Sequence, residues 1–475
     1  MGKKRLHAIM IGFCYQGHVI PFTNLAIKLA SSGCVVTFVH PEFVHHMLAK
    51  ADGVNVAEAD PFIRARQSGL DIRYTTISDG FPPDFDRIIN YKQHWEAIFL
   101  DFPSRVDELI GNIINSDDEA FEHFLVADTS YSLPATIAHK YNMLNVSFWT
   151  QPALVFILYY HLDLLRERGY FPVQGDEENV VIDVIPGIEA IKIKTKDLTS
   201  NFHDWDETSI TRRIMVEAFE KVKQADFILI NTVDELEHEW VSAMNQKQPT
   251  YAIGPVNFSK LDVPKSLWSK TDCAEWLDSK PRGSVLYVSF GSLAQSNQQL
   301  AEEIANGILL SGVHFVWVIR DGADMLPDGF ANESKERGVI VSWCNQNEVL
   351  SNPVIGGFLT HCGWNSILES ICCGVPMICY PFFADQPTNR KLVVDDWKVG
   401  INLCDGTSVD RKEVAEKIKE LIGSETSNSL RGEMKRMSSV VHKALDEDGS
   451  THTNFHRFLE DLWAKAATGA THTHG

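Results

Sequence analysis

His7–Gly33 reads HAIMIGFCYQGHVIPFTNLAIKLASSG, and the fold class is decided in this stretch. A continuous apolar run, His7–Phe13, passes through a short loop into a segment where Leu25 and Leu29 stand four apart and Gly33 supplies a stop. Apolar runs without alternation mark strands buried on both faces, as in parallel sheets, and the four-residue spacing marks a helix. The pairing recurs down the chain. Runs at Val35–Val39, Phe124–Ala127, Phe227–Ile230, Val285–Phe290, Phe315–Ile319, Val339–Val341, Gly357–Thr360 and Pro376–Tyr380 predict further strands, and Gln298–Leu310 and Lys412–Ile422 predict helices. Strand and helix alternate through both halves, which predicts an α/β fold with parallel sheets.

The pattern breaks between Gly254 and Gly283, where a loop with Pro264, Lys265, Trp268 and Lys270 and a short helix at Cys273–Leu277 precede the next strand. The 475 residues therefore divide into an α/β domain at 1–254, a linker at 255–282 and a second α/β domain from 283. The small, polar end at 466–475 is expected to be a disordered tail. With 43 Lys+Arg against 63 Asp+Glu, the formal charge is −20, which argues against nucleic acid, because a polyanion footprint needs clustered cations. The 9 cysteines are scattered without a CxxC pair; they read as reduced, buried thiols rather than a disulfide or zinc framework. The basic start runs into a first strand instead of a cleavage signature, and no run reaches the ~18–20 apolar residues of a membrane span. A cytoplasmic monomer without an integral membrane segment is expected.

Two residues in the first half sit where open α/β sheets carry their active groups, just past strand ends. His18 opens the helix after the first strand, and Asp128 closes Phe124-Leu-Val-Ala-Asp. In space the carboxylate could orient the imidazole and stabilise the imidazolium formed when His18 takes a proton. Each also has a structural reading: His18 as a cap or packing residue, Asp128 as an Asx-turn. Gly12 and Gly17 lack the G-x-G-x-x-G spacing of a dinucleotide fingerprint, which counts against a nicotinamide-dependent dehydrogenase.

The second half holds a denser constellation: Trp343-Cys-Asn-Gln346, then Gly356-Gly-Phe-Leu-Thr-His361-Cys-Gly-Trp364-Asn365-Ser366-Ile-Leu-Glu369, then Asp385-Gln386. Physically this is a buried strand, a turn, and a helix opened by Ser366. A helix start presents backbone N–H groups and the positive end of a dipole, a diphosphate site that needs no metal. Ser366-Ile-Leu-Glu369 also matches a capping box, which would satisfy the helix end and nothing more.

Trp343–Gln386, 44 residues, resembles almost end to end the signature box of plant family 1 UDP-dependent glycosyltransferases, which move sugar from UDP-sugars to small molecules. Gln16-Gly-His18, Phe148-Trp-Thr150 and Ser289-Phe-Gly-Ser292 also sit where that family has them. The resemblance implies a GT-B fold: two facing Rossmann-like domains with an interdomain cleft, the acceptor on the first (1–254), UDP-sugar on the second (283–452), and a last helix (453–465) returning to the first. It implies Trp343 stacking on uracil, the Cys344 backbone and Gln346 bonding near it, and Glu369 holding the ribose. His361, Asn365, Ser366 and Ser292 would meet the diphosphate; Trp364, Asp385, Gln386 and Thr150 would meet the sugar. Asn345 and Asn352 depart from the family's usual Pro and His, at positions not expected to be ligands.

The implied reaction is inverting transfer from UDP-glucose, with His18 as general base assisted by Asp128, to a hydroxyl or carboxyl of a small lipophilic plant metabolite. UDP-glucose is the donor co-substrate; no other cofactor and no metal is expected. Gln386 goes with glucose in the family, where His goes with galactose, and Trp364 stands where glucuronic-acid users carry Arg. The acceptor is not assigned. Parts of Ser78–Asn90 and Thr150–Tyr160 are candidate pocket walls, although Leu154–Tyr160 at helical spacing reads more readily as core than as wall. A catalytically silent UDP-sugar-binding protein, or the same chemistry with another UDP-sugar, stands as the alternative.

Overall fold

The computed structural model describes residues 4–117, 121–173, 179–185, 193–203, 206, 208–257, 271–291, 298–319, 325–404, 408–423 and 425–469. The apolar runs form two parallel sheets. The first is seven-stranded in the order β3 (Ile72–Ile77), β2 (Val35–Pro41), β1 (Arg5–Ile11), β4 (Phe121–Asp128), β5 (Leu144–Trp149), β8 (Phe227–Ile230), β9 (Thr250–Ala252). A short antiparallel pair, β6 (Val181–Ile182) and β7 (Ile193–Lys194), stands apart from it. The second sheet is six-stranded: β12 (Gly338–Val341), β11 (His314–Val318), β10 (Val285–Ser289), β13 (Ile355–Thr360), β14 (Met377–Cys379), β15 (Gly400–Asn402). In both, the order runs backwards along the chain and then forwards, reversing between β1 and β4 and between β10 and β13.

The chain separates into two units. One comprises Met1–Thr195, Phe202–Trp268 and Ala444–Gly475, the other Lys196–Asn201 and Ser269–Lys443. In the first unit alternate residues of β1 feed two cores: Leu6, Ala8 and Met10 join Phe22, Leu25 and Leu29 of the helix Gln16–Ser31 on one face. Ile9 and Ile11 join Phe102, Val106 and Ile110 of the helix Phe102–Ser116 on the other. A strand covered on both faces has no polar face to alternate with, which is why the run reads as continuous. The last helix, Ser450–Gly469, packs Phe455, Phe458 and Leu462 into the first of these cores, and Tyr251 donates to Asp461 at 2.6 Å.

Two sequence expectations change, and the preferred reading of Leu154–Tyr160 as core holds over Leu154–Tyr159. The helix continues through a buried Ala466 to Gly469, so no disordered tail begins at 466; residues 470–475 lie outside the described residues. Leu154–Tyr159 are fully buried, with Tyr159 stacked on Phe219 at 4.9 Å and Phe156 edge-on to it at 5.2 Å; this segment is core rather than a pocket wall. β3 and β5 were not visible as apolar runs, since IRYTTI and LNVSFW interleave polar residues. Among the described residues no helix is long and apolar enough to cross a membrane.

Candidate active site

Strand register brings the first group of residues together. β1 lies beside β4 with Ile11 opposite Ala127, and β4 beside β5 with Asp128 opposite Phe148. His18 in the first turn of the following helix, Asp128 at the end of β4 and Thr150 after β5 therefore converge at the reversal of strand order, where open α/β sheets form their crevice. His18 Nδ1 lies 2.7 Å from Asp128 Oδ2 and 3.2 Å from Thr150 Oγ1. An ionised carboxylate can only accept, so the pair places the proton on Nδ1 and leaves the lone pair on Nε2. The His18 side chain is 14% exposed and that of Asp128 1%: a ligand can reach the base and not its partner.

The structural readings of these residues are resolved atom by atom. Asp128 Oδ1 accepts from the Ser130 N–H at 2.9 Å, so the Asx-turn and the imidazole pairing coexist, one on each oxygen. His18 does not cap its helix, whose N-cap position is Tyr15. Phe13 lies 5.5 Å from the imidazole centroid and packs against Trp95 and Tyr131, each at 5.1 Å, which gives the base an aromatic wall. The nearby loop Ser78–Asn90 is organised by buried Asp79. Arg87 grips both its oxygens, at 2.7 and 3.0 Å, and also donates to the carbonyls of Phe81, Pro82 and Phe85. Burial alone would raise the Asp79 carboxyl; hydrogen bonds from His94 and Arg87 overcome it and hold the group well below the usual carboxylate range.

The second group is built by the loops after β10, β12, β13 and β14. The helix after β13 spans Trp364–Cys373 with Gly363 at its N-cap, so Ser366 is the third helical residue and not the cap, and the capping box is not formed. Ser366 and Glu369 instead share a donor: Gln346 Nε2 lies 2.9 Å from Ser366 Oγ and 2.7 Å from Glu369 Oε2. Tyr287 of β10 donates to Gln346 Oε1 at 3.3 Å and meets the buried Cys344 thiol at 3.8 Å. Trp343 follows β12 with its side chain half-buried, and Asn365 is likewise half-buried in the first helical turn. Trp364 is 3% exposed, its indole 6.1 Å from that of Trp397, so its side chain is taken up in packing. Ser292 lies outside the described residues.

His361 sits in a slot between two glycines: a Cβ at either Gly291 or Gly363 would come within 2.4 Å of its Nε2. The turn passes through Cys362 at φ 67°. Asn389 secures it, its Nδ2 donating to the Cys362 carbonyl at 2.9 Å and to Asp385 Oδ2 at 2.6 Å. Gln386 Oε1 accepts from the N–H groups of Phe382 and Phe383 at 2.8 and 3.1 Å, so its amide N–H₂ is the end left to donate. Tyr287 and Asn389 escape sequence reading. A Tyr inside VLYVS reads as core, whereas the i,i+4 spacing of Asn389 from Asp385, the N-cap of its helix, is the signal that could have found it. Asn345 and Asn352 have local roles, bonding Glu348 and the Val354 N–H.

At the opposite, N-terminal edge of the first sheet, His7, Asp117 and His123 place ligand-type atoms within 4.8 Å of one another. His7 Nε2 is engaged by Thr37 Oγ1 at 2.7 Å, and Arg73 donates to the second oxygen of Asp117. A guanidinium on the carboxylate makes this a hydrogen-bonded charge network rather than a cation cage.

Residues 204–444 match the family model described as UDP-glucoronosyl and UDP-glucosyl transferase. UDP-glycosyltransferase 86A1 of Arabidopsis thaliana is 47% identical over 484 residues, covering 100% of this chain and 98% of that protein. An (R)-mandelonitrile beta-glucosyltransferase of Prunus dulcis is 33% identical over 95% of each chain. The solved structure of a UDP-glucose:anthocyanidin 3-O-glucosyltransferase in complex with UDP superposes with a TM-score of 0.81 at 26% identity, covering 98% of this chain and 100% of that one.

Proposed function

The chain belongs to the plant family 1 UDP-dependent glycosyltransferases, and from that premise we propose that it transfers glucose from UDP-glucose to a hydroxyl or carboxyl of a small lipophilic plant metabolite, with inversion to a β-glucoside. For a hydroxyl acceptor, His18 Nε2 takes the proton while Asp128 stabilises the resulting imidazolium. The oxygen attacks the anomeric carbon on the face opposite UDP, and the bond to the β-phosphate oxygen breaks with its electrons leaving on UDP. A positioned base is worth about 10²–10⁴-fold in rate. The N-terminus of Trp364–Cys373, with His361, Asn365, Ser366 and Ser292, meets the diphosphate charge, and preorganised donors of this kind stabilise the leaving group. The reading uses no metal and no cofactor beyond the donor co-substrate.

Trp343 stacks on uracil, Gln346 and the Cys344 backbone bond beside it, and Glu369 accepts from the ribose hydroxyls. Asp385, Gln386, the Trp364 backbone and Thr150 meet the hexose. Gln386, which goes with glucose in the family, keeps its amide N–H₂ to donate to the sugar while Oε1 is held by the Phe382 and Phe383 amides. A glucosyl donor is also what the names of the mandelonitrile and anthocyanidin enzymes state for those proteins, and their acceptors support a small, largely apolar acceptor here.

The observation that carries the reading is the pairing of a reachable His18 with a sealed Asp128 at the reversal of strand order. Mass-spectrometric product detection with several UDP-sugars over a panel of phenols, alcohols and carboxylic acids tests it. Glucoside formation that His18→Ala abolishes while UDP affinity persists is the expected result. UDP-glucose binding without turnover of any acceptor would instead favour a silent binding protein.

A further inference from the structure

Lys196–Asn201 belongs to the second unit although the chain on both sides of it belongs to the first. This hexapeptide is tied to the loop that carries Asp385 and Gln386. The Ser200 N–H donates to the Ala384 carbonyl at 2.9 Å, and the Ala384 N–H donates back to Ser200 Oγ at 2.7 Å. Thr388 Oγ1 donates to the Asp197 carbonyl at 2.7 Å. Arg390 Nη2 pairs with Asp197 Oδ1 at 2.7 Å, with side-chain exposures of only 15% and 4%. Ala384 stands at φ 56°, a left-handed conformation that a residue with a Cβ holds only when its surroundings impose it. The reciprocal pair from Ser200 falls on that residue.

These tethers end at 384, 388 and 390 and so bracket Asp385 and Gln386. The loop's internal bonds, Asn389 to Asp385 and Gln386 to the Phe382 and Phe383 amides, fix the two side chains relative to the loop. The hexapeptide fixes the loop itself. None of the tethered residues is assigned to uracil, ribose or diphosphate. We propose that Lys196–Asn201 is a strap that positions the hexose-reading loop, with Ser200 and Asp197 as positioning residues for donor-sugar selectivity. This rests on the assignment of Asp385 and Gln386 to the sugar.

The test is titration calorimetry of the full chain with UDP, UDP-glucose and UDP-galactose, with melting temperatures recorded alongside. Ser200→Ala removes the acceptor of the Ala384 N–H, a net loss of one hydrogen bond. UDP-glucose should bind about three- to tenfold more weakly, UDP within twofold of wild type, and the preference for glucose over its 4-epimer should shrink. Ser200→Thr, which keeps the hydroxyl, should restore all three values. Asp197→Asn, which weakens the Arg390 pair and keeps the carbonyl that Thr388 uses, should shift the same ratio in the same direction. Equal losses for UDP and UDP-glucose, or an unchanged glucose-to-galactose ratio in both Ser200→Ala and Asp197→Asn, overturn the strap. Wild-type protein that binds neither UDP nor UDP-glucose overturns the site assignment beneath it, an outcome distinct from the first two.

Discussion

Replacing Gly363 by Ala puts a methyl group 2.4 Å from His361 Nε2 and 2.9 Å from its Cε1. Ordinary contact begins near 3.4 Å, so the ring must yield by about 1 Å. Its retreat across the slot is limited, because the Gly291 backbone lines the other side and only the lack of a Cβ there leaves room for the ring. The backbone at 363, φ −64° and ψ 138°, suits alanine as well as glycine, so the effect is steric and confined to the imidazole. Overpacking of this kind costs about 1–3 kcal/mol, a fall in Tm of a few degrees for a domain of this size. The larger consequence is functional. If His361 is aimed at the diphosphate, displacing it removes a hydrogen bond to a charged group, about 1.5–3 kcal/mol, or roughly ten- to 150-fold in UDP affinity. Calorimetry with UDP and with uridine separates the two effects, because uridine has no phosphate for His361 to meet. Weakened UDP binding with unchanged uridine binding is expected. A folded Gly363→Ala protein that binds UDP like wild type would refute the assignment of His361.

Asp128→Asn keeps the shape beside His18 and removes the charge that stabilises its imidazolium; turnover should fall by about 10²-fold or more, read in initial rates, while UDP affinity stays level. Glu369→Gln should weaken UDP by about 1.5–3 kcal/mol, and the deficit should vanish when the ligand is 2′,3′-dideoxy-UDP, which has no ribose hydroxyls to offer. Burial lowers His7 to about 4 from its ordinary 6.5. The folded state therefore binds fewer protons than the unfolded one between those values, and stability that is full above pH 6.5 drains away as pH falls toward 4, about 3 kcal/mol in all. Urea unfolding across that window should lose one proton's worth of slope in His7→Asn, and an unchanged slope would free His7 of this role. Asp117 extends the acid limb. Burial pushes its carboxyl up, but hydrogen bonds from His123 and Arg73 hold it at about 2, so its contribution goes only below about pH 3.8.

The sequence revealed what is local and periodic. Nine strands were legible because burial on both faces removes the polar residues that would interrupt them, and the helices between them because their apolar residues recur every three or four. β3 was hidden because Arg73, Thr75 and Thr76 stand on a partly exposed edge strand, and β5 because it buries two polar residues, Asn145 and Ser147, the latter bonded to Thr129 at 2.7 Å. His18 and Asp128 could be placed at strand ends, but their meeting depends on β1 and β4 being neighbours, which no local pattern encodes across 110 residues. Lys196–Asn201 is the extreme case. Its residues are ordinary loop types, and only the folded chain shows that they serve the unit whose other residues begin near position 269.

The capping-box reading of Ser366-Ile-Leu-Glu369 shows how a small boundary shift changes a functional conclusion. With Ser366 as N-cap, its hydroxyl and the Glu369 carboxylate would turn inward on backbone N–H groups and be consumed there. The helix starts three residues earlier than that, at Trp364, with a glycine N-cap at 363. The cap residue is Gly363, where a Cβ would collide with His361, the same contact that makes Gly363→Ala informative. Moved most of a turn into the helix, Ser366 and Glu369 stand three apart on a common face, as helical neighbours do, and both meet the Gln346 amide across the loop after β12. Because the helix begins at Trp364, a serine and a glutamate readable as helix caps are not consumed at its end and share the Gln346 amide instead.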